Sequence, residues 1–354
     1  MLAELVDHVI GVDPDKDWIT TAVIDAKTTG VVDTARFEAN SAGYLDAIAW
    51  AEQHTTPGER VWAIEGSASF GRGLTARLAS DDEWVVEFDW AREKASKDGG
   101  KSDELDAIRA AREMIGRDAL NAPRAHDGHR EALRVHTVAR AGAVRARTAA
   151  INELKALVVT APDDLRAELR GLTTRALVNK CGRFRSSSTR SISRQGTQLT
   201  MRSLAQRITN LNAEIADHDR AMTALISETA PQLLAEIGIG HVTAATFVLS
   251  WSHHGRCRSE AAFARLAGAA PVPATSGLTQ NRHRLNRGGD RRLNHALYIV
   301  ATTRLRQDPT TREYVARRVA EGKTQREIVR CLKRYIARRV WRLLEHAPPG
   351  ELPT

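Results

Sequence analysis

The first 120 residues alternate between two hydrophobic periodicities. HVIGVD (8–13) is an apolar run ending in an acid, WITTAVID (18–25) alternates apolar and polar positions, and GVVDTARFE (30–38) follows a Thr-Thr-Gly turn; all three read as strands. A helix is predicted near 41–53, then a buried strand VWAIEG (61–66), a helix near 70–79 and a strand WVVEFD (84–89). After the Lys/Gly-rich loop KASKDGGK comes a helix opening at Ser102, with the acids that a first helical turn favours. Three strands in meander followed by β-α-β-α predict an α/β domain with a mixed sheet.

From about 125 to 235 the strand signals vanish and the chain becomes rich in Ala, Leu and Arg. Met201, Leu204, Ile208, Leu211, Ile215, His218, Met222 and Leu225 follow a 3-4-3-4 spacing, the a/d seam of a coiled coil with a histidine at one core position. Two readings stay open: a helix of an intramolecular bundle, with 127–159 as antiparallel partner, or an intermolecular coiled coil. Between them RFRSSSTRSISRQGTQ (183–198) reads as a Ser/Arg-rich loop, mobile when unliganded or simply a solvated linker. Beyond Ala230-Pro231, LLAEIGIGHVTAATFVLS (233–250) suggests two helices joined by a Gly238-Ile239-Gly240 turn. Such a turn lets backbone N–H groups approach a phosphate, although many glycine turns are only turns. A last helix is expected from about Thr324 to Glu345. Three regions result: 1–122, 123–230 and 231–354.

Charge changes the picture more than composition does. The net charge of the 354 residues is +9, but residues 1–120 hold 13 basic and 24 acidic side chains, a net of −11, leaving +20 on the rest. An acidic head on a basic body points to a polyanionic partner. The N-terminus does not read as a secretory signal, and no run of about 18 apolar residues predicts a membrane span. Cys181, Cys257 and Cys331 are too far apart for a zinc ribbon or disulfide framework, which suits a reducing, cytoplasmic compartment. His253-His254 lacks a third ligand at useful spacing and reads as an exposed pair on a turn. There is no GxxxxGK[ST] phosphate loop and hence no sign of ATP-driven work.

Four acids stand at telling places. Asp13 ends the first strand, Glu65 ends the strand VWAIEG, and Asp103 and Asp106 lie three apart on one helical face in KSDELDA. If the two strands are neighbours, their ends lie about 4.8 Å apart. Four crowded carboxylates repel unless cations join them, and hard Mg²⁺ prefers oxygen ligands. Two such ions about 3.5–4 Å apart stabilise the attacking and leaving oxygens of a phosphodiester. Singly, each acid is an ordinary solvated carboxylate. Together, in this topology, they resemble the ribonuclease-H-like, RuvC-type nucleases, with an Asp on the first strand, a Glu on the fourth and a closing acid pair on a late helix. In the tail, Ser276-Gly277 precedes a basic stretch of Arg282, His283, Arg284, Arg287, Arg291 and Arg292; a serine there could attack a DNA phosphate, but most loop serines do nothing.

GVDPDK, AIEGSASFG and KSDELDA in the head, with IGIGHVTAAT, FARLAGAAP, the Ser-Gly dipeptide and NRGGDRRLNHAL in the tail, resemble the DEDD-type insertion-sequence transposases, the IS-one-ten family with its Piv-type invertases and bridge-RNA-guided recombinases. The chain departs from that pattern in the opening KSD and in a Leu after Gly277. The resemblance implies a RuvC-like α/β catalytic domain, an all-α coiled-coil oligomerisation region and a helical transposase domain. It implies Mg²⁺, two ions with Mn²⁺ as alternative, on Asp13, Glu65, Asp103 and Asp106, and a covalent phosphoserine at Ser276. Gly238, Gly240, Arg282, Arg284, Arg287, Arg291 and Arg292 become candidate nucleic-acid contacts. Implied partners are donor and target DNA, a noncoding bridge RNA and further copies of the chain as dimer or tetramer, in a nucleoid-associated bacterial protein without membrane contact. Delegating sequence reading to RNA suits a chain with no homeodomain, zinc-finger or basic-zipper pattern. The alternative is a RuvC-like junction resolvase or endonuclease with water as nucleophile; a non-catalytic binding protein is disfavoured by the presence of all four acids.

Overall fold

The computed structural model describes residues 2–88, 102–117, 120, 122–124, 128–185, 191–273, 283–285 and 289–346. The chain forms two compact units, one from 1–130 together with 250–348, the other from 131–249 with 349–354.

In the first unit, β1 (His8–Pro14), β2 (Trp18–Asp25) and β3 (Val31–Glu38) form the expected antiparallel meander. Helix α1 (Ser41–His54) starts where the Asn40 side chain accepts the amides of Ala42 and Gly43. Strand β4 (Arg60–Glu65) returns parallel to β1, α2 (Arg72–Ser80) follows, and β5 (Val85–Phe88) adds parallel to β4. The sheet order is β3-β2-β1-β4-β5. β1, β2 and β4 are buried on both faces, which explains their near-continuous apolar runs, whereas the edge strand β3 is mostly exposed. Ile10, Val12, Trp62 and Ile64 pack with α1 and α2 residues. Val9, Val61, Ala63 and Val86 pack on the opposite face with Ala107, Ala110, Ala111 and Met114 of α3 (Asp103–Ile115). Ser102 caps α3 by accepting the Leu105 amide.

In the second unit, α4 (Gly128–Thr160) and α7 (Ile192–Thr229) run antiparallel, with α5 (Asp163–Leu169) and α6 (Thr174–Gly182) between them in sequence. Met201, Leu204 and Ile208 of the heptad seam pack with Ala150, Leu154 and Cys181 of the same chain. His218, the odd member of the seam, meets His136 of α4 ring nitrogen to ring nitrogen at 3.0 Å, so this core position is polar on both helices. The 183–198 loop is shorter than expected: Ser191 caps α7, and 192–198 form its first turns, held by Arg194 paired to Asp164 and Glu168. The glycine hairpin also differs, because α8 (Pro231–Leu234) is one turn only before α9 (His241–Trp251).

The later part of the first unit holds α10 (Glu260–Leu266), the antiparallel pair β6 (Pro271–Pro273) and β7 (His283–Leu285), then α11 (Arg291–Gln307), α12 (Pro309–Ala320) and α13 (Gln325–Glu345). Ile328, Leu332, Ile336, Val340 and Leu344 make a buried i, i+4 stripe on α13, and Thr324 and Glu327 close a capping box at its start. Among the described residues, no helix is long and apolar enough to cross a membrane. Cys181 and Cys257 are buried free thiols, and burial pushes that of Cys181 up to about 11.

Candidate active site

Strand alternation determines which side chains meet at the C-terminal edge of the sheet. In the parallel register of β1 and β4, Val9 lies opposite Val61, Gly11 opposite Ala63 and Val12 opposite Ile64. With a side-chain period of two, Asp13 continues the Val9-Gly11 row and Glu65 the Val61-Ala63 row, on the face that α3 covers. Gly11 allows that helix to come close: a Cβ at this position would stand 2.0 Å from the Ala107 carbonyl oxygen and 2.9 Å from the Ala111 amide. The approach brings the first turn of α3, with Asp103 and Asp106, to the strand ends.

Electrostatics reports the same convergence. The Asp13 carboxyl is raised from 3.8 to about 6, by burial first and then by the charges of Glu65, Asp106 and Asp103. Asp106 accepts a hydrogen bond from Arg109, one turn on, at 2.9 Å. Arg109 is the member of this site that the acid pattern alone missed, although its i, i+3 spacing was visible. Among the described residues no three His, Cys, Asp or Glu side chains converge tightly enough to hold a metal ion. The cluster is open, balanced by Arg109 and by the raised Asp13 carboxyl. Its donors are all carboxylate oxygens, which fits a hard divalent cation in chemistry.

The tail motifs pack onto one another. Gly289, at φ +110°, faces the Leu266 carbonyl, a Cβ there standing 2.6 Å from that oxygen, and the Asp290 amide donates to the same oxygen at 2.8 Å. The Asp290 carboxylate caps α11 through the Arg292 and Leu293 amides and accepts from the Ser250 hydroxyl. Asn294 donates to the Ala267 carbonyl and accepts from Lys333. RLAG and GDRRLN (289–294) therefore form one scaffold, with Arg291 and Arg292 exposed on the first turn of α11. Ser276, Arg282 and Arg287 lie outside the described residues, and Arg284 is placed by its backbone alone, in β7. Gly238 has φ +84°, while the Gly240 amide donates to the Thr243 hydroxyl. His254 is exposed beside Trp251, as expected, whereas His253 is half-buried and its pKa is lowered, chiefly by burial.

A mixed α/β sheet with four acids gathered at one edge, followed by a helical region, is compatible with a transposase domain of the DEDD type. Residues 10–161, which include all four acids, match a DEDD-type transposase family model, and 231–316 match the model described as Transposase IS116/IS110/IS902 family. Head and tail of the chain are thus each similar to a family model of insertion-sequence transposases. The chain is 33% identical over 152 residues to the insertion element IS900 uncharacterized 42 kDa protein of Mycobacterium paratuberculosis, covering 41% of this chain and 37% of the relative. It is 29% identical over 134 residues to the insertion element IS110 uncharacterized 43.6 kDa protein of Streptomyces coelicolor, covering 37% and 33%. The matched stretch spans about a third of the length of these relatives.

Proposed function

We propose that this chain is a DNA recombinase that moves an insertion sequence by cutting and rejoining DNA through transesterification. The observation that carries the reading is geometric: Asp13 and Glu65 stand at neighbouring ends of the parallel strands β1 and β4, and the close approach of α3 over Gly11 brings the helix turn bearing Asp103 and Asp106 to the same edge. The strand order β3-β2-β1-β4-β5, antiparallel at β2 and parallel from β1 to β5, supports a RuvC-like catalytic domain over 1–122. We assign 123–230 to oligomerisation through the long helices and 231–354 to the DNA-joining domain. Asp13, Glu65, Asp103 and Asp106 would hold divalent metal, Mg²⁺ by preference for all-oxygen donors; when bound, it would stabilise charge on the attacking and leaving oxygens of the phosphodiester.

The chain supplies the remaining chemistry. The Ser276 oxygen attacks phosphorus and loses its proton, a P–O bond to serine forms, and the displaced DNA oxygen leaves and takes up a proton. A DNA hydroxyl then attacks the phosphoserine in the reverse sense and frees Ser276. One phosphodiester is exchanged for another, so no nucleotide hydrolysis is needed. Arg282, Arg284, Arg287, Arg291 and Arg292, with the turn at Gly238 and Gly240, bind nucleic-acid backbone in this reading. A noncoding bridge RNA pairs with donor and target DNA, and the net +20 of residues 121–354 offsets both backbones.

The test is a denaturing gel of labelled element-end DNA incubated with full-length protein, the RNA transcribed beside the gene, and Mg²⁺. A protein-linked DNA band is expected from the wild type, and none from Ser276→Ala or Asp13→Asn. An adduct formed by Ser276→Ala overturns the nucleophile. Cut ends free of protein replace this reading with a RuvC-like resolvase or endonuclease that uses water.

A further inference from the structure

Thr20 of β2 lies opposite Asp13 in the antiparallel register, and Arg36 of β3 lies opposite Thr20. The alternation that turns Ile19 and Val23 toward α1 and Ala22 and Ile24 toward α3 puts Trp18, Thr20 and Arg36 on the face shared by Asp13 and Glu65. One row thus crosses the sheet from Arg36 through Thr20 and Asp13 to Glu65, with Arg36 two strands, roughly 10 Å, from Asp13. The Arg36 guanidinium lies over the Trp18 ring, 4.8 Å from its centroid. Both are open to solvent, Trp18 at 39% and the Arg36 side chain at 52%. Asp15 stands 3.9 Å from Arg36, but its carboxylate mainly shapes the β1–β2 turn by accepting the Asp17 and Trp18 amides, which hold its pKa below the usual carboxylate range.

A solvated cation stacked on an exposed indole is an ordinary sheet-surface pair until its position is considered. The first 120 residues carry 24 acids and 13 bases, and a phosphodiester strand approaching Asp13 meets the charges of Glu65, Asp106 and Asp103 as well. A cation held at fixed distance along the same row gives the backbone an anchor outside the carboxylate cluster, and an exposed ring beside it offers a face or edge to an unpaired base. Aromatic rings interleaved with cations are the usual grip on single-stranded nucleic acid.

The geometry points to Trp18 and Arg36 as a strand-positioning subsite: Arg36 takes a backbone phosphate and Trp18 stacks on an unpaired base of the single strand led toward Asp13 and Glu65. The subsite rests on the transposase reading only in placing a nucleic-acid strand beside those acids. Neither residue touches the reacting atoms; both position.

Binding is measured by fluorescence anisotropy with labelled oligo-dT, oligo-rU and a DNA duplex, using full-length protein in an Asp13→Asn background over a salt series. Trp18→Ala is expected to weaken one of the two single strands at least about five-fold and the duplex less, and Trp18→Phe to restore most of the loss. The dT and rU arms tell whether the strand is DNA or RNA. Arg36→Ala is expected to lower the salt slope for the single strand by about 0.7, one phosphate contact, and Arg36→Lys to keep it. A purely structural role for the pair would move the melting temperature and leave the slope alone. An unchanged salt slope in Arg36→Ala, or wild-type affinity of Trp18→Ala for both single strands, overturns the subsite. If otherwise wild-type protein leaves element DNA uncut while both variants lose binding as stated, the transposase reading falls and the subsite stands. If it forms the DNA adduct and the variants bind normally, the subsite alone falls.

Discussion

A carboxyl group half-buried beside three others must keep its proton, find a cation or destabilise the fold. For Asp13 the folded chain holds the proton with a pKa of about 6, against 3.8 as the ordinary value. The folded state therefore binds the proton more tightly than the unfolded chain. Protein stability falls as pH rises from about 4 through 6, and the penalty is complete above that window, on the order of 2–3 kcal/mol at most. Asp13→Asn should accordingly be more stable than wild type at pH 7 in EDTA and indistinguishable from it near pH 4, as measured by urea unfolding. Divalent metal should reverse the order at pH 7, raising the wild type more than the variant. Equal stability of the two proteins at pH 7 without metal would show that Asp13 is not crowded by its neighbours.

At the scale of the element, the site depends on how closely α3 lies on β1. A methyl group at position 11 would meet backbone, the Ala107 carbonyl and the Ala111 amide, so the helix itself has to move. Gly11→Ala should cost at least about 1–3 kcal/mol as an overpacking change, and should displace Asp103 and Asp106 from the strand ends. Calorimetry should show the lower melting temperature, and in protein that remains folded the Asp13 carboxyl should titrate closer to its ordinary value by NMR. The strands and their acids were legible because alternation and runs are local: HVIGVD and VWAIEG became β1 and β4, and their parallel pairing brings Asp13 beside Glu65. The Gly11 contact was not legible, since its partners lie about a hundred residues on. For the same reason the seam histidine His218 looked like a flaw until His136, 82 residues away, met it across the helix pair. The start of α7 was hidden by composition, because RSISRQ reads as solvated until Asp164 and Glu168 hold Arg194.

For the whole molecule, the question is how the acidic head and the serine-bearing tail come to share one compact unit when the chain leaves it for more than a hundred residues. One link is a buried ion pair. Glu87 on β5 and Arg256, after α9, meet at 3.1 Å with both side chains about 95% buried, and Arg124 stands 4.0 Å from the same carboxylate. Arg256 also donates to the Ser250 carbonyl at 2.9 Å, and Arg130 donates to the carbonyl of Ser252. A pair this dry contributes little net stability compared with apolar residues of the same size, but losing one partner strands the other charge at a cost of about 3–5 kcal/mol. Arg256→Met should therefore destabilise the protein strongly, as should Glu87→Gln to a smaller degree, because the amide still accepts a hydrogen bond. The Glu87→Leu, Arg256→Met double variant should recover much of the loss of the single Arg256→Met change, in a double-mutant cycle read by urea unfolding. If the head and tail are held together mainly by this charge pair, the double variant should fold yet become more sensitive to proteolysis. If the apolar contacts suffice, its cleavage rate should match that of the wild type, and the ion pair then serves to select the register in which β5 meets the tail.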